Sequence, residues 1–350
     1  MRLTRGALLL ALSIVGAHAS GELPSYERLF VRPNAELATP VVPRLTFSYD
    51  GQEAAALSAE TADATARVVL FSLANRQVRY AFSSHTGSMS AVAFHPFQPL
   101  LAIGATDGQI IFWDTDTLRQ VGRLTGHQGK INSLQFSPWS PQLVSASDDG
   151  TAILWDIGSQ RMQRRLSGHR APVLAAEVMG TERVVTASTD GTVRLHDALS
   201  GTELQTLRLP GRSTPNSLAT TFRTDIIAVG TTDGEIQTWS ITGTPLRTMK
   251  GHKAAVESLT ISPDGRLIAS VGRDGRMIFW NLTSGLILDQ VSAASFPIYD
   301  VQFSPDGDDL LTASSDNTIR LWNVVTRSER MRFVVEEANS RSTVPDWMTD

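Results

Sequence analysis

The sequence predicts an all-β repeat protein of seven similar units, each built from four short antiparallel strands. The first observation is a period of about 42 residues that recurs along most of the 350-residue chain. The second is that each period contains short apolar runs separated by turn signals. A fixed period in this range is typical of a repeat architecture, in which each unit packs against its neighbours. The runs that mark the period end at Phe71-Ser72, Trp113-Asp114, Trp155-Asp156, His196-Asp197, Trp239-Ser240, Trp280-Asn281 and Trp322-Asn323.

The unit from Gly126 to His169 shows how one period is expected to fold. Its apolar and β-branched residues fall into short runs, and Asp149-Gly150 between the second and third runs is a tight-turn signal. Four antiparallel strands joined by such turns make one blade of a β-propeller. The expected strands are 131–136, 142–147, 151–155 and 161–166.

Three short motifs recur at fixed places in these units. Gly-His opens several units, Ser-Pro-Asp-Gly marks the first inner turn of two, and Trp-Asp closes two others. Together these motifs resemble the WD40 family over residues 42–337. The resemblance implies a seven-bladed β-propeller of four-stranded antiparallel blades, and a protein that serves chiefly as a scaffold for other proteins. The motifs stand at Gly126-His127, Gly168-His169, Gly251-His252, 262–265, 304–307, Trp113-Asp114 and Trp155-Asp156.

The same resemblance implies a side-chain network within each blade that links a His, a Ser or Thr, a turn Asp and a Trp. A half-buried carboxylate needs hydrogen bonds, which the His and the hydroxyl supply while the Trp covers the cluster. Two blades carry the whole set, the third as His127, Ser145, Asp149 and Trp155, and the sixth as His252, Ser270, Asp274 and Trp280.

Other blades depart from this pattern. Ile103 replaces the hydroxyl residue in the second blade, His196 replaces the Trp in the fourth, and Ala294 replaces the His in the seventh. The fifth blade lacks the His, and the first blade, with Phe71 in the Trp position, is the most divergent. We expect the first blade and its neighbours to be the least stable part of the ring.

Two segments are available to supply the outer strand that closes the ring. Residues 327–337 follow the last Trp closely, whereas residues 26–32 lie near the start of the expected mature chain. We expect the C-terminal segment to take this position, because it continues directly as a hairpin from the preceding strand.

The N-terminus predicts a secretory signal peptide. Arg2 and Arg5 precede the apolar run Ala7–Ala17, and Ala17-His18-Ala19 supplies a small-residue cleavage site. Cleavage is therefore expected after Ala19. An uncleaved membrane anchor is the alternative, although the apolar run is short for a membrane span.

The segments outside the repeats complete the expected organisation and location. The signal peptide occupies 1–19, an N-terminal extension 20–41, the propeller 42–337 and a polar C-terminal tail 338–350. No second apolar stretch is long enough to span a bilayer, so the mature chain is expected to have no membrane span. A signal peptide in a chain without Cys favours a bacterial periplasmic protein over a eukaryotic secreted one.

The composition argues against catalytic, metal and cofactor sites. The absence of Cys excludes thiolate catalysis and Cys-based zinc sites. Each His is assigned to the signal peptide, to the blade network or, for His95, to a turn. The turn Asp residues belong to different blades, so they form a ring and not a catalytic pair. The acidic run 306–309 lacks the ligand spacing of a calcium loop, and a net charge of −4 does not favour nucleic-acid binding.

Propeller topology places the turn between the second and third strands on the same face as the link to the next blade, which we call the top face. Cationic and aromatic residues are predicted there, and arginine and exposed aromatic side chains are enriched in binding hot spots. The hypothesis is that this arc docks an acidic peptide or protein, and ordinary solvated loops are the alternative. Trp139 is a candidate apolar anchor on the opposite, bottom face. The arc consists of Lys130, Arg170, Arg212, Lys253, Arg273, Phe296 and Tyr299.

The sequence thus favours an exported, non-catalytic protein-interaction scaffold that is monomeric outside its complexes. Two other classes stay open. One is a carbohydrate or small-ligand binder that uses the central channel. The other is a propeller enzyme, which would need several His or carboxylate side chains from neighbouring blades to converge on the axis.

Overall fold

The seven sheets of the protein form a single closed ring. A computed structural model describes residues 26–30, 44–57, 68–82, 87–211, 213–221, 223–316 and 318–336. Every regular element in these ranges is a β-strand, and the strands form seven sheets. Six sheets have four antiparallel strands, and the seventh has a fifth strand at its edge. The predicted fold class, a seven-bladed WD40-type β-propeller, is confirmed.

The first four blades follow one another along the chain, after the short strand β1 (Tyr26–Phe30). Blade 1 contains β2 (Arg44–Phe47), β3 (Glu53–Leu57), β4 (Val68–Ser72) and β5 (Gln77–Phe82). Blade 2 contains β6 (Met89–Phe94), β7 (Leu100–Ala105), β8 (Ile110–Asp114) and β9 (Arg119–Leu124). Blade 3 contains β10 (Ile131–Phe136), β11 (Gln142–Ser147), β12 (Ala152–Asp156) and β13 (Arg161–Leu166). Blade 4 contains β14 (Val173–Met179), β15 (Arg183–Ser188), β16 (Thr192–Asp197) and β17 (Glu203–Arg208).

The last three blades repeat the arrangement. Blade 5 contains β18 (Pro215–Thr221), β19 (Ile226–Thr231), β20 (Glu235–Ser240) and β21 (Pro245–Lys250). Blade 6 contains β22 (Val256–Ile261), β23 (Leu267–Gly272), β24 (Arg276–Asn281) and β25 (Ile287–Ser292). Blade 7 contains β26 (Ile298–Phe303), β27 (Asp309–Ser314), β28 (Thr318–Asn323) and β29 (Glu329–Glu336).

The position of a strand within its blade explains its composition. The third strand of blade 3, β12, is buried along its first four residues, because neighbouring blades cover both of its faces. The sequence of β12 is therefore a continuous apolar run. The outer strand β13 is mostly exposed and is accordingly polar, except for the buried Leu166 at its end. Apolar clusters shared by adjacent blades hold the ring together.

The ring closes between blade 7 and blade 1 through an apolar cluster. Phe71, which takes the Trp position of blade 1, packs against Phe333 of β29 with ring centroids 5.1 Å apart. The C-terminal segment supplies the fourth strand of blade 7, as expected from the sequence. β1 then pairs with β29 in parallel, from Tyr26 opposite Arg332 to Phe30 opposite Glu336. The N-terminal segment is therefore a fifth, outermost strand.

Several predicted features lie outside the described residues. These are the signal peptide 1–19, most of the N-terminal extension 20–41, the polar tail 338–350 and Arg212 of the predicted arc. In the part of the chain that the structure describes, no helix is long and apolar enough to cross a membrane.

Candidate interaction surfaces

The network of blade 3 fixes a top-face loop to the body of the sheet. His127 Nδ1 lies 2.8 Å from Asp149 Oδ2, and His127 Nε2 lies 2.8 Å from Ser145 Oγ. The Trp155 indole N–H donates to the same hydroxyl at 2.8 Å. Each donor has an acceptor when the imidazole is neutral, because Nδ1–H then donates to Asp149 and the Ser145 hydroxyl donates to Nε2. Burial lowers the pKa of His127, in agreement with a neutral ring.

The ionised Asp149 anchors the loop that follows the Gly-His motif. Burial opposes its ionisation, but hydrogen bonds from Thr151, the Gln128 backbone N–H and His127 outweigh that cost and lower the Asp149 pKa to about 2. The Gln128 N–H donates to Asp149 at 3.0 Å. The loop that leads to Lys130 is thus held by a charge-assisted hydrogen bond.

Blade 6 repeats this geometry. His252 lies 3.0 Å from Asp274 and 2.8 Å from Ser270, and the Trp280 N–H donates to Ser270 at 2.8 Å. The Lys253 backbone N–H donates to Asp274 at 2.8 Å. The same device therefore positions Lys253.

The departures seen in the sequence have structural consequences in blades 2 and 4. In blade 2, where Ile103 replaces the hydroxyl, the buried Trp113 Nε1 has no hydrogen-bond partner among the described residues. In blade 4, His196 Nε2 lies 3.2 Å from Thr186 Oγ1 and so takes the place of the indole N–H. Its Nδ1 is buried without a described partner. Burial and the nearby His169 lower the His196 pKa to about 4.

Blade 7 replaces the missing His with an arginine that the sequence pattern did not reveal. Arg320 is buried and donates to Asp316 Oδ2 at 2.5 Å and to Thr318 Oγ1 at 3.0 Å. Arg320 therefore bonds the turn carboxylate of blade 7, as His127 and His252 bond the turn carboxylates of the complete blades. An arginine two residues before the Trp, combined with the absent Gly-His, is the sequence signal that could have identified it.

The top face brings several residues of the predicted arc onto exposed loops. Lys130, Arg170 and Lys253 are exposed, and no carboxylate of the described residues lies within ion-pair distance of them. Arg273 differs, because its guanidinium forms an ion pair with Glu257. The charge of Arg273 is thus largely compensated within the protein.

The aromatic members of the arc lie on blade 7 and on the link that leads to it. Phe296 is 55% exposed, whereas Tyr299 is only partly exposed, at the start of β26. The link is tied to the turn of blade 6, because the Ala294 N–H donates to the Gly275 carbonyl at 3.1 Å. A Cβ at Gly275 would overlap the Ala294 carbonyl, so this close approach requires glycine.

The bottom face carries exposed aromatics on three consecutive blades. Trp139 in the first inner turn of blade 3 is 43% exposed. Phe97 and Tyr49 occupy the corresponding turns of blades 2 and 1, and Phe97 is 66% exposed. Of these three side chains, only Trp139 is among the residues predicted from the sequence.

The central channel is lined by the innermost strands of all seven blades and has a volume of about 430 Å³. An innermost strand is a sheet edge, with backbone N–H groups that no sheet partner satisfies. Side chains of the preceding blade accept from them. Gln135 Oε1 accepts from the Val178 N–H at 2.6 Å, and Glu177 Oε2 accepts from the Thr220 N–H at 2.7 Å. Burial raises the pKa of Glu177 to about 7.

Several polar side chains of the channel wall thus hold neighbouring blades together. In the described ranges, no group of three or more His, Asp or Glu side chains is placed to hold a metal ion. The Ser145 and Ser270 hydroxyls that contact His127 and His252 are buried within their blades.

Comparison with known proteins agrees with this architecture. The family described as the IFT122 first beta-propeller matches residues 41–323. The chain belongs to this family. The match covers six of the seven blades completely and the first three strands of blade 7.

Individual relatives match over shorter stretches. The chain is 33% identical over 117 residues to small ribosomal subunit protein RACK1y of Oryza sativa subsp. japonica, which is 33% of each chain. It is 32% identical over 114 residues to actin-interacting protein 1 of Drosophila melanogaster, covering 31% of this chain and 18% of that one. It is 30% identical over 122 residues to the periodic tryptophan protein 2 homolog of Schizosaccharomyces pombe, covering 34% and 14%. The matches therefore span about a third or less of these relatives.

Proposed function

We propose that the protein is a non-catalytic scaffold that binds other proteins through the top-face loops of its propeller. The observation that carries this proposal is the way the loops are built. The Asp149 and Asp274 carboxylates hold the backbone next to the displayed cations, so the loops that carry Lys130 and Lys253 are fixed before a partner arrives. Preorganised loops lose little conformational entropy on binding, which favours recognition.

The proposed ligand of the top face is an acidic segment of a partner protein. Lys130, Arg170 and Lys253 offer uncompensated positive charge, and Phe296 offers an exposed ring on the link to blade 7. An acidic segment with an apolar residue would satisfy both features. Arg273 contributes less, because Glu257 already neutralises it.

Crosslinking followed by mass spectrometry tests this proposal. The chain without residues 1–19 is crosslinked to its partners, beside a variant that carries Lys130→Glu, Arg170→Glu and Lys253→Glu. We expect crosslinks to concentrate on the top loops and the variant to lose the partner while keeping its melting temperature. A matched control carries Arg208→Glu, Arg247→Glu and Arg266→Glu, which change the same number of exposed cations elsewhere. Loss of the partner in the control alone would contradict a top-face site.

We further propose that the chain is exported and acts as a monomer in the periplasm or outside the cell until a partner binds. The support is the pattern of Arg2, Arg5, Ala7–Ala17 and the Ala17-His18-Ala19 site. Expression of the full chain, followed by fractionation and N-terminal mass spectrometry, tests the location. A mature N-terminus at Ser20 supports export, whereas an intact Met1 in the cytoplasmic fraction argues against it. Light scattering on the same preparation gives the oligomeric state.

A further inference from the structure

The outer strands of blades 2 and 3 are unusually basic. β9 and β13 contain five arginines in 12 residues and no acidic residue. The outer strands of blades 4, 6 and 7 each contain an acidic residue, namely Glu203, Asp289 and Glu329. A chain with a net charge of −4 thus concentrates positive charge on one side of the ring. We call this surface the basic rim, and it consists of Arg119, Val121, Arg123, Arg161, Met162, Arg164 and Arg165.

Four of the five arginines of the basic rim have no carboxylate of the described residues within ion-pair distance, whereas the Arg165 guanidinium lies 3.8 Å from Asp149 Oδ2. No described carboxylate lies within ion-pair distance of Arg119, Arg123 or Arg161, and all three are exposed. Arg164 donates to the Leu199 carbonyl at 2.6 Å, which orients its side chain and leaves its charge in place. Elsewhere on the outer strands the cations Arg79, Lys250 and Arg330 pair with Glu53, Glu235 and Asp309.

The two strands form one continuous surface that reaches the top face. The side-chain amide of Gln160, in the turn before β13, donates to the Val121 carbonyl of β9 at 3.2 Å. At the other end, Arg165 donates to the Gly126 carbonyl at 2.7 Å, at the base of the loop that carries Lys130. The basic rim is therefore one wall across two blades and not two separate strands.

Apolar side chains interrupt the arginines and indicate the kind of partner. Val121 is 48% exposed and Met162 is 41% exposed. Arginine and methionine are enriched at protein interfaces. Neither strand carries an aromatic side chain on which a nucleic-acid base would stack. A mixed surface of this kind suits a polypeptide better than a phosphate backbone.

We propose that the basic rim binds an acidic, extended segment of a partner protein, with carboxylates on the arginines and apolar side chains on Val121 and Met162. Planar guanidinium groups pair with carboxylates through two parallel hydrogen bonds, which gives arginine its preference for such ligands. This site is separate from the top-face arc and does not rest on it.

Fluorescence anisotropy with a labelled peptide of four Glu-Glu-Leu repeats tests the proposal. The full chain is titrated into the peptide at low salt and at 0.15 M salt. We expect the variant Arg119→Gln, Arg123→Gln, Arg161→Gln to bind at least tenfold more weakly. We expect the matched control Arg208→Gln, Arg247→Gln, Arg266→Gln to stay within twofold of the unchanged protein. Equal weakening in both triple variants would overturn the site, since only net charge would then matter.

Three further arms separate the alternatives. The double variant Val121→Ser, Met162→Ser should bind the Glu-Glu-Leu peptide severalfold more weakly and a polyglutamate peptide equally well. If it binds both peptides as tightly as the unchanged protein does, the proposed apolar contact is wrong. If duplex DNA or phosphatidylserine vesicles bind the rim more tightly than the peptide does, the proposal of a polypeptide ligand is wrong. The variant Lys130→Glu, Arg170→Glu, Lys253→Glu should keep rim binding. If it alone loses the peptide, the rim proposal fails and the top-face proposal stands.

Discussion

Asp300 in blade 7 accepts a hydrogen bond from the backbone N–H of Leu45 in blade 1, at 2.8 Å and across 255 residues of sequence. The same carboxyl group accepts from the Ser258 hydroxyl of blade 6 at 2.7 Å and from the Val301 N–H at 2.9 Å. One buried side chain thus joins three blades where the ring closes. Burial raises the Asp300 pKa, while the nearby Arg44 and these donors oppose the rise.

Replacing Asp300 with alanine should destabilise the ring at its seam. The Asp300→Ala variant leaves the Leu45 N–H and the Ser258 hydroxyl without their acceptor, and we expect a loss of about 2–4 kcal/mol in the free energy of unfolding. Urea denaturation measures the loss, and hydrogen exchange of the Leu45 amide locates it. Gln302→Ala, on the same strand and also facing the channel, is the matched control and should cost less than about 1 kcal/mol. Equal losses would show that Asp300 has no special part in closure.

Glu177 should make stability depend on pH in a specific direction. Its pKa is raised from 4.5 to about 7, so the folded state binds the proton more tightly than the unfolded state. The cost of burying the carboxylate is absent below about pH 4.5, grows as the pH rises to about 7 and is constant above that. Glu177→Gln keeps an acceptor for the Thr220 N–H, and it should stabilise the protein by about 1–3 kcal/mol at pH 8 and little at pH 4.

Denaturation of both proteins at several pH values between 4 and 8 checks this expectation. The difference between the two proteins isolates Glu177, because His196 and the network histidines titrate equally in both. A stability difference that does not change with pH would contradict a titrating Glu177.

The tryptophans of blades 2 and 3 should respond differently to the same substitution. Trp155→Phe removes a hydrogen bond to Ser145, whereas Trp113→Phe removes a buried N–H without a described partner. A buried donor without an acceptor costs about 1–3 kcal/mol. Removing that donor in Trp113→Phe therefore offsets part of the free energy lost with the packing of the larger ring. We expect Trp155→Phe to be more destabilising than Trp113→Phe by at least about 1 kcal/mol, measured by chemical denaturation.

A double-mutant cycle provides the control for this comparison. In a Ser145→Ala background the Trp155 N–H has lost its acceptor, which imitates blade 2. The cost of Trp155→Phe should then fall toward that of Trp113→Phe. An unchanged cost in this background would show that the hydrogen bond to Ser145 does not explain the difference.

Arg320 should matter more for stability than a surface arginine of the same blade. Arg320→Met leaves the Asp316 carboxylate without its partner in a largely buried setting, and we expect a loss of about 3 kcal/mol. Arg330→Met breaks a pair with Asp309 in which the arginine is half exposed, and it should cost less than about 1 kcal/mol. Thermal and urea denaturation of the two variants make the comparison, and similar losses would contradict the structural role of Arg320.

The candidate surfaces were partly visible in the sequence and partly not. Residues such as Lys130 and Lys253 could be placed on the top face, because the repeat fixes which loops share a face. The pairing of Arg273 with Glu257 was not visible, since a loop residue and an inner-strand residue meet only once the blade is folded. The basic rim was missed for a related reason, because outer strands of different blades become neighbours only in the ring.

The sequence by itself determined the number of blades, the four strands of each and the residues of the complete networks. A period of about 42 residues repeats the same local signals, and each signal acts within one unit. The tertiary structure alone decided how the ring closes, as in the contact of Asp300 with Leu45 and the parallel pairing of β1 with β29. These contacts join distant parts of the chain, and no local pattern encodes which distant group will satisfy a buried carboxyl group or an open strand edge.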